Sequence, residues 1–181
     1  PSLAGMTALA TLGLHNNQFG GAMPALSGSP LLSYVTAYNN QLTGAIPSLS
    51  ALTQLQYFYV DRNQLTGALP SLDGLTQLVV FYAYSNQLTG SIPALSDLPS
   101  LEYFYVHSNQ LSGPFPALTN LPALRYFDVN GNQLSGTIPS LASLGALRAF
   151  RVENNLLTGA PPPVPSPTNL LTPGGSRLCP N

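Results

Sequence analysis

Apolar and polar positions return in one fixed order along this chain, every 23 residues. A leucine series runs through Leu9, Leu32, Leu55, Leu78, Leu101, Leu124 and Leu147. Three residues on stand Leu12, Val35, Phe58, Phe81, Phe104, Phe127 and Phe150, and two further on Leu14, Ala37, Val60, Ala83, Val106, Val129 and Val152. Alternation at period two predicts a short strand with Phe and Val turned inward. Units of equal length, with no insertion or deletion, need nearly equal backbones. The pattern therefore predicts stacked coils whose strands build one parallel sheet.

The polar punctuation keeps the same step. Asn17, Asn40, Asn63, Asn86, Asn109, Asn132 and Asn155 follow each strand. Turned inward, such an amide satisfies backbone groups at the bend that burial would otherwise leave unpaired. Gly21 to Gly159 recur four residues after the Asn and suit a positive φ, while Pro24 to Pro162 rule out an ordinary helix there. An L-x-x-L-x-x-L return then predicts a 3-10-like or irregular segment closing each coil.

These residues resemble a known family. L-x-x-L-x-L-x-x-N-x-L is similar to the leucine-rich repeat, and "NQLTGAIPSL", "NQLTGSIPAL" and "NQLSGTIPSL" resemble its plant-type form, marked by L-x-G-x-I-P. The resemblance covers residues 1 to about 164. It implies an α/β-type repeat solenoid, a right-handed leucine-rich-repeat superhelix. Its parallel β-sheet would be concave, its convex side irregular or 3-10, and a second short strand would lie near G-x-I-P. Two regions are expected: a solenoid of 23-residue repeats over 1–164, truncated at its N-terminus, and a proline-rich cap or tail over 165–181. Pro1 stands in phase with Pro24, so the chain opens inside a repeat, and the cysteine-paired cap usual in the family is missing. At the other end Leu170, Leu171 and Leu178 are expected to cover the last coil, with a linker toward another domain as the alternative.

Strand geometry sorts the remaining side chains into three outward columns. The first reads Thr11, Tyr34, Tyr57, Val80, Tyr103, Tyr126 and Ala149. The second is Gly13, Thr36, Tyr59, Tyr82, Tyr105, Asp128 and Arg151; the third is His15, Tyr38, Asp61, Tyr84, His107, Asn130 and Glu153. All nine tyrosines fall in these columns. Tyr59, Tyr82 and Tyr105 are expected to form a stacked ladder flanked by Tyr57, Tyr103, Tyr38 and Tyr84. Tyrosine suits any strand, and cross-strand aromatic pairs stabilise sheets. Strand preference alone, however, would not exclude tyrosine from everywhere else. The expected site is thus a partner-binding face of Tyr34, Tyr38, Tyr57, Tyr59, Tyr82, Tyr84, Tyr103, Tyr105 and Tyr126, with His107, Asp61, Asp128 and Arg151 as its polar rim. Glu102, Arg125 and Arg148 share another column, as neighbouring ion pairs on a solvated surface.

Composition narrows the function classes. Only 6% of residues are charged, there is no lysine, and the net charge is −1, so nucleic acid would find no basic face. No apolar run approaches a membrane span. His15 and His107 sit four coils apart, about 19 Å at the usual strand spacing, too far to share a metal or a proton. Asp61 and His107 are two coils apart, about 10 Å, and the lone Cys179 has no histidine near it in the repeat frame. No enzyme, metal or cofactor is expected. A hydroxyl column, Thr43, Thr66, Thr89, Ser112, Ser135 and Thr158, raises ice binding, but the adjacent Ala45, Ala68, Ser91, Pro114, Thr137 and Ala160 are too mixed for a flat lattice. Its hydroxyls are read as turn formers that bond their own backbone. The expectation is a secreted or extracellular module that binds a protein or peptide. Ice binding, carbohydrate or cell-wall binding and self-association are the alternatives. The absence of any N-x-S/T sequon points to a bacterial secreted member of plant-type repeat.

Overall fold

A computed structural model describes residues 3–162, so the expected capping tail and Cys179 lie outside the described residues. The strands Thr11–Gly13, Tyr34–Thr36, Tyr57–Tyr59, Val80–Tyr82, Tyr103–Tyr105, Tyr126–Asp128 and Ala149–Arg151 form one seven-stranded sheet. All neighbours are parallel, and each residue faces its counterpart one repeat on: Phe58 opposite Phe81, Phe81 opposite Phe104, Phe104 opposite Phe127. Phe58, Phe81, Phe104 and Phe127 are fully buried. Their rings stack in a column with centroids 5.5, 5.6 and 5.5 Å apart.

The repeated asparagine does what its position requires. Asn86 Nδ2 donates to the carbonyls of Ala83 (3.2 Å) and Tyr84 (3.3 Å) on its own coil and of Val60 (3.1 Å) on the coil before. Its Oδ1 accepts from the backbone N–H of Leu65 at 2.9 Å. Asn40, Asn63, Asn109 and Asn132 repeat this arrangement on their own neighbours. Each amide thus staples two coils while satisfying the bend.

A second ladder follows the asparagines. Gly20–Ala22, Gln41–Gly44, Gln64–Gly67 and Gln87–Leu88 pair in one sheet, and Ser112–Pro114, Gln133–Gly136 and Leu156–Leu157 in another. Gln110 N–H to Leu88 O and Ser112 N–H to Gly90 O, both 2.8 Å, join the two. This is the second short strand that the family resemblance implied. Glycine is needed at its end: Gly67 has φ +75°, and its added Cβ would stand 3.5 Å from the Ala45 Cβ.

The coil closes through single turns rather than a helix. Leu52 N–H bonds Leu49 O and Leu55 N–H bonds Leu52 O, both at 2.9 Å, so each inward leucine begins the next turn. No helix occurs among the described residues, in keeping with the expected irregular convex side of the repeat solenoid. Only every third amide is bonded this way, which suits leucines that must all face the core. Leu49, Leu52, Leu55 and Leu65 are accordingly fully buried opposite the phenylalanine column.

One constraint went unread in the sequence. The residue just before each ladder asparagine is left-handed: Asn16, Asn39, Arg62, Ser85, Ser108, Gly131 and Asn154 have φ between 53° and 62°. Its N–H must reach the following coil, as Arg62 N–H does to Tyr84 O at 3.0 Å. Replacing Gly131 by Ala is therefore expected to cost about 1 kcal/mol through backbone conformation alone, read by urea unfolding. Asn86→Ala should cost about 3 kcal/mol, because it strands several backbone groups at once. Gln87→Ala, one residue away and exposed, should stay within about 0.5 kcal/mol.

Candidate functional site

Each strand of the main sheet is three residues long, so its outer face carries two flanking positions per coil plus the second residue after the strand. The structure brings all nine tyrosines onto this face. Eight are half-buried and Tyr34 is exposed. The rings pack on one another. Tyr82 and Tyr105 stack with centroids 4.6 Å apart and planes within 3°, whereas Tyr59 meets Tyr82 edge-on at 5.2 Å and 83°. The expected central ladder is therefore stacked in its second half and T-shaped in its first.

The flanking columns split into pairs. Tyr34 tilts against Tyr57 at 5.3 Å and Tyr103 stacks on Tyr126 at 4.9 Å, with the covered Val80 between the pairs. On the other side His15 stacks on Tyr38 at 4.8 Å and Tyr84 on His107 at 4.5 Å, with Asp61 between them. Val80 is only 5% exposed on a nominally outward position, in register between Tyr57 and Tyr103.

Two rim residues sit elsewhere than expected. Asp61 and Asp128 are each only 3% exposed, so neither presents a carboxylate to a partner. Burial, the largest influence, raises the Asp61 carboxyl above its usual range, although the neighbouring Tyr84 phenol favours its charged form. Asp128 accepts from the Asn130 backbone N–H at 3.2 Å and from its side-chain amide, and pairs with Arg151 at 3.4 Å. In both cases a short side chain lies between longer ones, Asp61 between Tyr38 and Tyr84 and Asp128 between Tyr105 and Arg151, and must find its partners within the protein. Glu102 and Arg125 form the expected neighbouring pair at 3.3 Å. Sequence reading missed Arg62, whose guanidinium lies 5.6 Å from the Tyr84 ring centroid. It occupies the left-handed bend, outside the outward columns, so no periodic signal marks it. It also missed the Thr36 hydroxyl, buried and 2.9 Å from His15 Nδ1.

Packing changes the acidity of the phenols. Burial, reinforced by neighbouring Tyr34 and Tyr57, pushes Tyr59 up to about 12. Burial and then the Asp61 charge push Tyr84 up to about 12. Tyr82 and Tyr105 are raised as well, again mainly by burial. These hydroxyls remain donors at any ordinary pH. Among the described residues, no group of three His, Cys, Asp or Glu side chains is placed to hold a metal ion, and no helix is long and apolar enough to cross a membrane.

The hydroxyl column lies in the second ladder, not in isolated turns. Ser135 and Thr158 hydroxyls donate to Gly113 O (3.2 Å) and Gly136 O (3.4 Å) of the preceding coil, rather than to their own backbone. Ser112 and Ser135 are only partly exposed, so the column does not present six equal hydroxyls.

Residues 123–144 match the Leucine Rich Repeat family model. The fold is a leucine-rich-repeat solenoid. No protein of curated function matches the sequence. Among solved structures, the chain is similar to the ectodomain of the Arabidopsis receptor kinase HAESA, solved with an extended IDA peptide hormone. Identity is 29% and the TM-score 0.79, over 87% of this chain and 28% of that one. It is also similar to the plant peptide hormone receptor RGFR1 in complex with RGF2, at 31% identity and TM-score 0.68, over 83% of this chain and 29% of that one. A plant ice-binding protein aligns at 23% identity and TM-score 0.55, over 88% and 68% of the two chains, a likeness of fold alone. The chain spans under a third of either receptor chain. These structures are of plant proteins, and they lend no support to the bacterial origin expected from the missing sequons.

Burial is the main influence holding His107 below its usual 6.5, and the nearby Asp128 charge only partly offsets it. The unfolded chain therefore binds the His107 proton more readily than the folded one. This contribution to stability is intact above pH 6.5 and declines as pH falls from there toward the folded-state value. Unfolding free energies measured between pH 7.5 and 5 should fall on acidification, and less steeply in His107→Gln. Equal slopes would contradict this reading.

Proposed function

We propose that this chain is a non-enzymatic recognition module, working outside the cell, that holds a protein or peptide ligand against the tyrosine face of its main sheet. The observation that carries this reading is the continuous half-exposed layer of packed tyrosines on one face of the solenoid. Tyrosine offers large contact area with few rotatable bonds, and rings already packed against one another lose little freedom when a ligand arrives. Tyr59, Tyr82 and Tyr105 are the central anchors, and Tyr34, Tyr57, Tyr103 and Tyr126 flank them. Tyr38, Tyr84 and His107 form the opposite wall, and Arg151 lies at the rim. Asp61 and Asp128 hold Tyr84 and Arg151 in place rather than touching the ligand. The HAESA ectodomain was solved with a peptide hormone ligand, and RGFR1 is a peptide hormone receptor solved in complex with RGF2, which supports a peptide as the ligand class.

Peptide-display selection against the wild-type chain tests the reading. Selected peptides should lose about 2 kcal/mol or more of binding on Tyr59→Ala, Tyr82→Ala or Tyr105→Ala, about 30-fold in affinity. Because the rings stack, each substitution also costs the fold about 0.5–1.5 kcal/mol, well below the roughly 3–5 kcal/mol expected for Phe81→Ala in the core. Affinities indifferent to all three substitutions would remove this face as the site.

A further inference from the structure

We infer that the occupant of this face is an uncharged, proline-rich peptide in the polyproline II conformation, lying across the strands along the solenoid axis. The inference rests on the recognition reading above and deepens it by naming the ligand's chemistry.

The first argument is which part of each ring is free. Parallel rings 4.6 Å apart, as in Tyr82 and Tyr105, are too close to lie side by side in one plane, so they stand upright and cover each other's faces. Tyr103 with Tyr126 and Tyr84 with His107 do the same, at 4.9 and 4.5 Å. A sugar ring or a cation needs an open π face, and here the faces within each stack are taken. What remains outward is a comb of ring edges and hydroxyl groups, electropositive at the edge and donating at the tip. That comb suits a ligand rich in free carbonyl acceptors. A polyproline II chain has no internal hydrogen bonds, so its carbonyls are exposed. Proline itself has no N–H that docking would strand.

The second argument is spacing. Polyproline II rises about 3.1 Å per residue with three residues per turn, or about 9.3 Å per turn. Two coils of this sheet advance about 9.6 Å at the usual strand separation. Rings two coils apart stand in the same column at Tyr57 and Tyr103, at Tyr59 and Tyr105, and at Tyr38 and Tyr84, so a ligand of that period meets every second coil in register. Every third ligand residue would then meet an equivalent ring. An extended β-strand ligand repeats every two residues, about 6.7 Å, and falls out of step within one coil. It would also need a free sheet edge, which the middle of the sheet lacks.

The third argument is charge. Asp61 and Asp128 are buried, and Arg125 and Arg151 are paired with Glu102 and Asp128. The Tyr59, Tyr82 and Tyr105 centre is therefore bordered by buried or paired charges, and the cation beside it, Arg62, lies against the Tyr84 ring at the edge of the face. Aromatic-lined surfaces are the general docking solution for proline-rich chains, whose preformed helix has little entropy left to lose.

The protein supplies its own probe. It has no tryptophan and all its tyrosines lie on this face, so tyrosine emission reports the site directly. Decaproline titrated into the full chain should give a saturable change in emission. Its affinity should exceed that of a Gly-Ser decapeptide at least tenfold. Tyr82→Ala should weaken decaproline binding at least tenfold, and Tyr105→Phe, which keeps the ring and removes only a donor, should weaken it severalfold. Circular dichroism checks the fold of Tyr82→Ala; if that variant does not fold, Tyr105→Phe decides alone. Decaproline binding no tighter than Gly-Ser, binding unaffected by both substitutions, or tighter binding of cellohexaose would each overturn the inference. Should display-selected peptides bind through the tyrosines while decaproline does not, the polyproline assignment falls and the recognition reading stands. Loss of both would sink the recognition reading itself.

Discussion

The structure depends on an asparagine amide that faces inward and spends its donors and its acceptor on two coils at once. Asn63 illustrates the consequence. Its Nδ2 reaches Ala37 O on one coil at 2.9 Å and Val60 O on the next at 3.1 Å, while Leu42 N–H donates to its Oδ1 at 3.0 Å. Were a coil to gain or lose a residue, these groups would separate, and the backbone polar atoms they satisfy would be buried unpaired. The constant 23-residue step of the sequence is thus the chemical signature of a bond geometry that admits one coil length. Stacked phenylalanines and in-register strands follow from that fixed length.

Register then turns sequence columns into physical rows. Because each residue of the main sheet lies beside its counterpart in the next coil, a choice made at one outward position is felt by the same position one repeat away. Arg125 meets Glu102, Arg151 meets Asp128, and His107 meets Tyr84 in this way. A few three-residue strands can therefore assemble a layer of rings that no single strand could hold. The core leucines and phenylalanines point to the other side, so the outer face is free to vary while the solenoid stays intact.

Much of this was legible in the sequence, and the part that was not has a common cause. Period-two alternation identified Phe81 as core and Tyr82 as outward, and the recurrence of Asn86 identified its inward role. Side-chain direction is set by the strand, and a strand is a local object. Burial of Asp61 and Asp128 is not local: it comes from longer side chains on adjacent coils, rings beside Asp61 and a ring and an arginine beside Asp128. The left-handed bend at Arg62, Ser85 and Ser108 was hidden for a related reason. Glycine or asparagine would have flagged it, but at these coils the stacked backbone imposes the conformation on residues that do not prefer it. Whether two tyrosines stack or meet edge-on likewise depends on neighbours in three dimensions.

Sheet stability explains aromatic rings on this face, but not why they carry hydroxyls. Phenylalanine would serve the strand as well, and the core of this protein uses it freely. One tyrosine hydroxyl has a charged neighbour within the fold: Tyr84 lies beside the buried Asp61. Tyr59, Tyr82 and Tyr105 have their phenols shifted upward chiefly by burial. None of the three is a buried orphan among the described residues. Their rings are packed on one another and half-buried, and their hydroxyls keep their protons as donors. Such a layer is already in its bound arrangement, so a ligand that supplies acceptors at matching intervals gains contacts without first having to organise the site.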